Sequence, residues 1–320
     1  MPDRIGRPRA RLDAAACSPA GATGAGPATM RPMPSPADAT ATLLVTCPDR
    51  RGIVAALAQL LHGHGANILD ADQHTDPEAS QFFQRIRFDG SELHTDRVAL
   101  ERGIAEVAER FSMTWRIAWA STPKRMAIFV SRYDHCLYDL LLRHRAGELP
   151  CEIALIVSNH PDLKFVAEQF GLPYHVFPIR REDKTEQEDR EIELLRAERV
   201  DLVVLARYMQ VLSERFIEAF PRCIINIHHS FLPAFMGGRP YHKARERGVK
   251  LIGATAHYAT TDLDEGPIIE QDVIRASHRD SVQDLVRKGR DVERAVLARA
   301  VRWHLEDRVL VYENKTVVFD

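Results

Sequence analysis

Five short apolar runs constrain this chain more than any other feature: MAIFVS (126–131), EIALIVS (152–158), YHVFPI (174–179), LVVLA (202–206) and CIINI (223–227). Segments near 136–145, 162–170, 184–198 and 213–219 read as helices and separate most of them. A strand that is apolar at consecutive positions must hide both faces. That demands helices on both sides of a mostly parallel sheet, an α/β, Rossmann-like arrangement. Strands near 251–258 and 267–274, a long helix near 281–304 and two short C-terminal strands complete this part. Ligands of such sheets bind beyond the carboxyl ends of the strands, so chemistry is to be sought there.

The region before it has a different rhythm. ATLLVTC (41–47) reads as a strand that ends in the turn Pro48-Asp49-Arg50-Arg51-Gly52. Ile53, Val54, Leu57, Leu60 and Leu61 then recur at helical spacing over 52–64. Two strands (67–75 and 81–88), a helix (95–110) and a closing strand (113–119) follow. The order is βαββαβ, the ferredoxin-like plan. The expected organisation is a tail over 1–38, a small domain over 39–121 and a larger one over 122–320, with Ser121–Lys124 as linker. The tail is rich in Ala, Pro and Gly and has too few large apolar residues to build a core. It reads as disordered or as the product of a misassigned start, with Met30 or Met33 as alternatives. Its GATGAG (21–26) fits no phosphate-binding fingerprint, and it has no apolar region of the kind a secretory signal carries.

Composition excludes several function classes. The 320 residues are 45% hydrophobic and 28% charged, with a net charge of −2. That balance gives no global reason for binding nucleic acid or anionic lipid. No apolar run approaches the length of a membrane span. The five cysteines (17, 47, 136, 151 and 223) form neither a zinc knuckle nor a disulfide framework, which predicts reduced thiols in a cytoplasmic protein.

Two constellations carry chemistry. In Cys223-Ile-Ile-Asn226-Ile-His228-His229, Asn226 and His228 are two apart on a strand and share one face. An amide donor beside an imidazole is what acyl chemistry needs, one to hold an oxyanion and one to move a proton. The same pair also reads as a hydrogen-bonded strand end. In Gly253–Pro267 a strand containing His257 runs into the acidic loop Asp262-Leu263-Asp264-Glu265. A carboxylate there would orient an imidazole, or the loop is a solvated turn. His228, His229, His242 and His257 have no HExxH or zinc spacing, so no metal is expected.

Those residues also carry a resemblance. NIHHSFLPAF (226–235) and GATAHYATTDLDEGPIIEQDV (253–273) resemble the catalytic signature of the folate-dependent formyltransferase fold. The family's Asn-x-His and downstream Asp fall on Asn226, His228 and Asp264, and a further active-site histidine on His257. LARYMQVL (205–212) is similar to its folate-binding segment. LLVTCPDRRGIVAALAQLLHGHGANILDADQHTD (43–76) resembles an ACT-type domain. With 131–163 and the PYHKA of 240–244, the likeness runs over roughly 41–320 and points to the formyltetrahydrofolate deformylases.

The resemblance implies hydrolysis of 10-formyltetrahydrofolate to tetrahydrofolate and formate, the formate feeding purine synthesis, with no cofactor. It implies that Asn226 donates to the oxyanion, that His228 moves a proton and, when protonated, stabilises negative charge, and that Asp264 orients His228 or a water or acts as base. The pteridine would lie against Leu205, Val211 and Leu212, with backbone groups of 260–264 reading its polar edge; Gln210, His257, Thr261, Asp262 and Leu263 are the further expected substrate contacts. The ACT-like part implies a homo-oligomer with glycine and methionine as effectors, held by Asp49, Gly52 and Asn67, or a purely oligomerising module.

The related transferases hold their nucleotide with a glycine-rich loop after the first strand. The equivalent Ser131-Arg132-Tyr133-Asp134-His135-Cys136 has no glycine, so its backbone cannot form that cradle. Water is then the implied acceptor. The stretch 236–239 also departs from the family pattern, which bears on its loop conformation. Formyl transfer to an amine, or a non-catalytic folate- or amino-acid-sensing role, remain the alternatives at this point.

Overall fold

The computed structural model describes residues 39–178, 184–233 and 240–320. The readings of the tail, Cys17, Ile179 and the 236–239 loop fall outside them. The chain divides between Thr122 and Pro123 into two units.

The first unit contains β1 (Thr40–Pro48), α1 (Ile53–Gly63), β2 (Asn67–Asp76), β3 (Gln81–Asp89), α2 (Arg97–Phe111) and β4 (Thr114–Trp119). Its sheet has the order β2-β3-β1-β4 and is antiparallel throughout, as the βαββαβ reading requires. Ile53, Leu57 and Leu61 form one stripe of α1 and pack on Leu43, Val45, Ile86 and Phe88. Gly52 starts this helix at φ 91°, a left-handed conformation that favours glycine. The start of α2 is capped by Asp96, which accepts from the Ala99 N–H at 2.7 Å.

The second unit runs β5 (Lys124–Val130), α3 (His135–Arg145), β6 (Cys151–Ser158), α4 (Lys164–Gln169), β7 (Tyr174–Val176), α5 (Lys184–Ala197), β8 (Leu202–Leu205), α6 (Glu214–Ala219) and β9 (Ile224–His228). It continues with α7 (Pro240–Arg247), β10 (Leu251–Tyr258), β11 (Ile268–Arg275), α8 (Val282–Leu305), β12 (Val309–Tyr312) and β13 (Lys315–Val318). The seven-stranded sheet has the order β11-β10-β9-β8-β5-β6-β7. From β7 to β9 its pairs are parallel; β10 and β11 are antiparallel. Helix α7 had no counterpart in the sequence reading.

The consecutive apolar residues divide between two cores, one per face. Ile128, Ile156, Val204 and Ile225 pack with α3 and α8, whereas Phe129, Val157, Val203 and Ile224 pack with α5 and α6. This is the physical reason the runs are continuous: every second residue serves a different layer. Among the described residues no helix is long and apolar enough to cross a membrane.

Candidate active site

The two-face rule places the polar residues of β9. Ile225 and Ile227 enter the α3/α8 core, so Asn226 and His228 share the face of Ile224, on the α5/α6 side. Leu205 is the β8 partner of Asn226. On the other side, β10 runs antiparallel and sets His257 opposite Asn226 and Thr255 opposite His228. One patch at the sheet's edge thus collects Leu205, Asn226, His228 and His257.

Asp264 completes it from the loop after β10. Its Oδ1 lies 3.1 Å from His228 Nδ1 and 3.7 Å from His257 Nε2. Only the first is hydrogen-bonding distance, so Asp264 pairs with His228 rather than with His257. His257 Nδ1 donates to the Tyr258 carbonyl at 3.0 Å, which leaves Nε2 to accept from Asn226 Nδ2 at 3.1 Å. The hydrogen bond from His228 holds the Asp264 carboxyl well below the ordinary carboxylate range. Asp264 sits at φ 59°, a left-handed conformation that aspartate tolerates better than most residues. Gly266 secures the loop's return, because a Cβ there would collide with the Tyr258 carbonyl.

His228 Nε2 is buried with no hydrogen-bond partner among the described residues. With Nδ1 engaged by Asp264, this is the one free pole of the imidazole. His229 stacks on it, with ring centroids 4.8 Å apart. Burial, then the charge of Arg207, lowers the His229 pKa to about 4, so this ring is neutral at pH 7.

The segment after β9 is pinned by Thr255, which is fully buried. Its hydroxyl donates to Ser230 O at 2.9 Å and accepts from Leu232 N at 3.0 Å and Gln271 Nε2 at 2.9 Å. The segment after β8 is clamped by α5. Lys184 Nζ donates to Val211 O at 2.6 Å, and the Ser213 N–H donates to Glu188 Oε1 at 3.1 Å. Burial pushes the Glu191 carboxyl up to about 7, against the hydrogen bonds of Gln187 and Tyr208. In the sequence, α5 looks like an ordinary charged helix, and its clamp was not foreseen.

The remaining expected residues are placed as follows. Leu205 is buried, Gln210 and Leu212 are half-buried, and Val211 is exposed beside them. Thr261, Asp262 and Leu263 are exposed on the loop that carries Asp264. Asp49 and Gly52 lie together at the start of α1, but Asn67 does not join them. Asn67 pairs with Asp89 at one end of β3, whereas the Asp49 N–H reaches Ser80 before the other end. Eight strand residues separate those ends in one chain, roughly 25 Å.

One group of described residues has metal-ligand character: His135, Cys136 and Glu293. Its chemistry suits an ion pair better. His135 Nε2 is 2.7 Å from Glu293 Oε2, and Arg207 Nε is 3.5 Å from the same oxygen. Burial holds the Cys136 thiol well above its usual range, and drives Cys47 to about 11 and Cys151 to about 12. These cysteines are unpaired thiols, protonated and weakly nucleophilic at pH 7.

Residues 124–301 match the formyl transferase family model, and residues 41–101 match the ACT domain model. The formyltetrahydrofolate deformylase of Synechocystis sp. is 57% identical over 280 residues, which cover 88% of this chain and 98% of that protein. The chain belongs to the formyltetrahydrofolate deformylase family. The crystal structure of the deformylase from Pseudomonas syringae pv. tomato superimposes with a TM-score of 0.86 at 49% identity, covering 88% of this chain and 94% of that one. A glycinamide ribonucleotide transformylase from Symbiobacterium toebii matches more narrowly, with a TM-score of 0.58, 32% identity and 62% of this chain against 95% of its own. The deformylase family thus accounts for both units, and the transformylase only for part of the chain.

Proposed function

We propose that the protein hydrolyses 10-formyltetrahydrofolate to tetrahydrofolate and formate, with Asn226, His228 and Asp264 as its catalytic centre. The observation that carries this is the unpartnered His228 Nε2, buried beside an amide donor and oriented through Nδ1 by a carboxylate. Asp264 accepts the Nδ1–H, which leaves a lone pair on Nε2 of the neutral ring. That nitrogen takes a proton from water as the oxygen attacks the formyl carbon. It returns the proton to N10 as the C–N bond breaks. Asn226 Nδ2 gives one N–H to His257 and has a second for the developing oxyanion. The pteridine lies along Leu205, Gln210, Val211 and Leu212, with His257 and the backbone of 261–263 at its polar edge. No metal or redox group has a step in this reaction.

The same reading gives the ACT unit an effector role, with glycine and methionine as ligands and Asp49 and Gly52 as contacts. Asn67 would reach the same ligand only from a second copy, which favours a homo-oligomer. A cytoplasmic location fits the protonated, unpaired thiols. The deciding experiment is formate release from 10-formyltetrahydrofolate with no added acceptor. Release supports hydrolysis; strict dependence on an added amine would overturn it.

A further inference from the structure

Glu293 is 1% exposed and does not belong to the Asn226–His228–Asp264 cluster. Both of its oxygens are engaged. His135 Nε2 lies 2.7 Å from Oε2, and the Tyr241 hydroxyl donates to Oε1 at 2.9 Å. Arg207 approaches Oε2 to 3.5 Å. His135 comes from the first turn of α3, Arg207 from the loop after β8 and Tyr241 from the first turn of α7. Although burial pushes the Glu293 carboxyl up, His135 and Arg207 outweigh it and hold it below its ordinary range. The cluster reaches the catalytic pair through His229, whose ring is 6.4 Å from Tyr241 and stacks on His228. It belongs to the α3/α8 side of the sheet, opposite the folate segment.

The seat of Tyr241 is built for it. Gly289 lies one helical turn before Glu293, on the same face of α8. A Cβ at Gly289 would overlap the Tyr241 hydroxyl and ring. The helix thus gives up a side chain at one position and buries a charge at the next, both to fix one phenol. For stability alone, apolar filling serves as well or better than a buried charge.

We propose that Tyr241 and His135, held by Glu293 and Gly289, are the specificity-determining residues that close the α3/α8 side of His228 and leave water as the sole acceptor. This rests on the hydrolytic reading above. In transfer, an amine nitrogen would attack the formyl carbon, the C–N10 bond would break, and a proton from the amine would pass to N10. The products would be an N-formyl amide and tetrahydrofolate. In hydrolysis, water takes the amine's part and formate leaves. The folate occupies the α5/α6 side, so a bulky acceptor needs the other side, and there the fixed phenol and imidazole stand. Packing differences of methylene size already discriminate about 10–200-fold, and removal of a ring changes far more volume.

The test uses the full chain, 10-formyltetrahydrofolate and excess glycinamide, with formate and N-formylglycinamide quantified together. The wild type should release formate only. In Tyr241→Ala and in His135→Ala formyl amide should appear, at a ratio to formate at least about tenfold above the wild type's detection limit. Tyr241→Phe keeps the ring and should keep formate as the sole product, which separates volume from the lost hydrogen bond. Amide formation by the wild type would overturn the proposal. So would an unchanged ratio in either alanine variant that melts cooperatively and still turns over. Failure of the hydrolytic reading would look different: no formate from the wild type with or without glycinamide.

Discussion

Asn226 and His228 stand two apart on a strand whose other residues are isoleucines, and this spacing made both legible. Period-two alternation sends the isoleucines to the cores and leaves the polar pair on one face. Asp264 and His257 were legible from the second motif, and the fold brings all four together. Asn226→Ala should reduce formate release about 10²–10³-fold, the usual cost of one oxyanion donor. Asp264→Asn should be comparably severe, because His228 loses the acceptor that fixes its tautomer; steady-state formate assays on folded variants check both. Asp264 also has a pH signature. Its folded pKa is depressed below the ordinary 3.8, so the stability it contributes is present above that value and is lost as pH falls through the folded one. The gap in Tm between wild type and Asp264→Asn should be constant above about pH 5 and close as pH falls below about 4, followed by thermal melts. The residues that were not legible are those whose partners are far off in sequence. Glu293 had one readable sign, an acid at helical spacing among Leu285, Gly289, Val292 and Val296 on the buried stripe of α8.

Among the elements, β10 and α5 do for the site what no single residue can. Thr255 on β10 satisfies three polar groups around the turn that follows His228. Thr255→Val keeps the shape but strands the Leu232 N–H, so it should lower unfolding free energy by about 1–3 kcal/mol in a denaturant titration. Helix α5 carries buried Gln187, Glu188 and Glu191 where an amphipathic pattern would put apolar residues. Glu188 accepts from the Ser213 N–H in the segment after β8, and Gln187 donates to Glu191, so these polar residues are buried for pairings that periodicity does not encode. The Glu191 pKa of about 7 lies above its ordinary 4.5, so between those values the folded state binds the extra proton. Stability contributed here should decline as pH rises from about 4.5 through 7, and Glu191→Gln should flatten that slope in Tm measured from pH 5 to 8.

At the scale of the whole molecule, an ACT unit and a formyltransferase-fold unit sit on one chain. An amino acid bound by the first should alter formate release by the second. Equilibrium dialysis with glycine and with methionine should detect binding of at least one, weakened by Asp49→Ala; binding of neither would leave the ACT unit an assembly module. The sequence by itself determined the two-unit plan, the βαββαβ order, the two-faced parallel sheet and the shared face of Asn226 and His228. Each is written in local periodicity, and a strand or helix expresses its period wherever it is placed. Only the tertiary structure decided that His228 Nε2 has no partner among the described residues, that α5 clamps the segment after β8, and that Glu293, His135, Tyr241 and Arg207 form one cluster. Those are matters of which distant side chains meet. Periodicity fixes the face a residue takes, whereas burial and pairing depend on what is packed against that face.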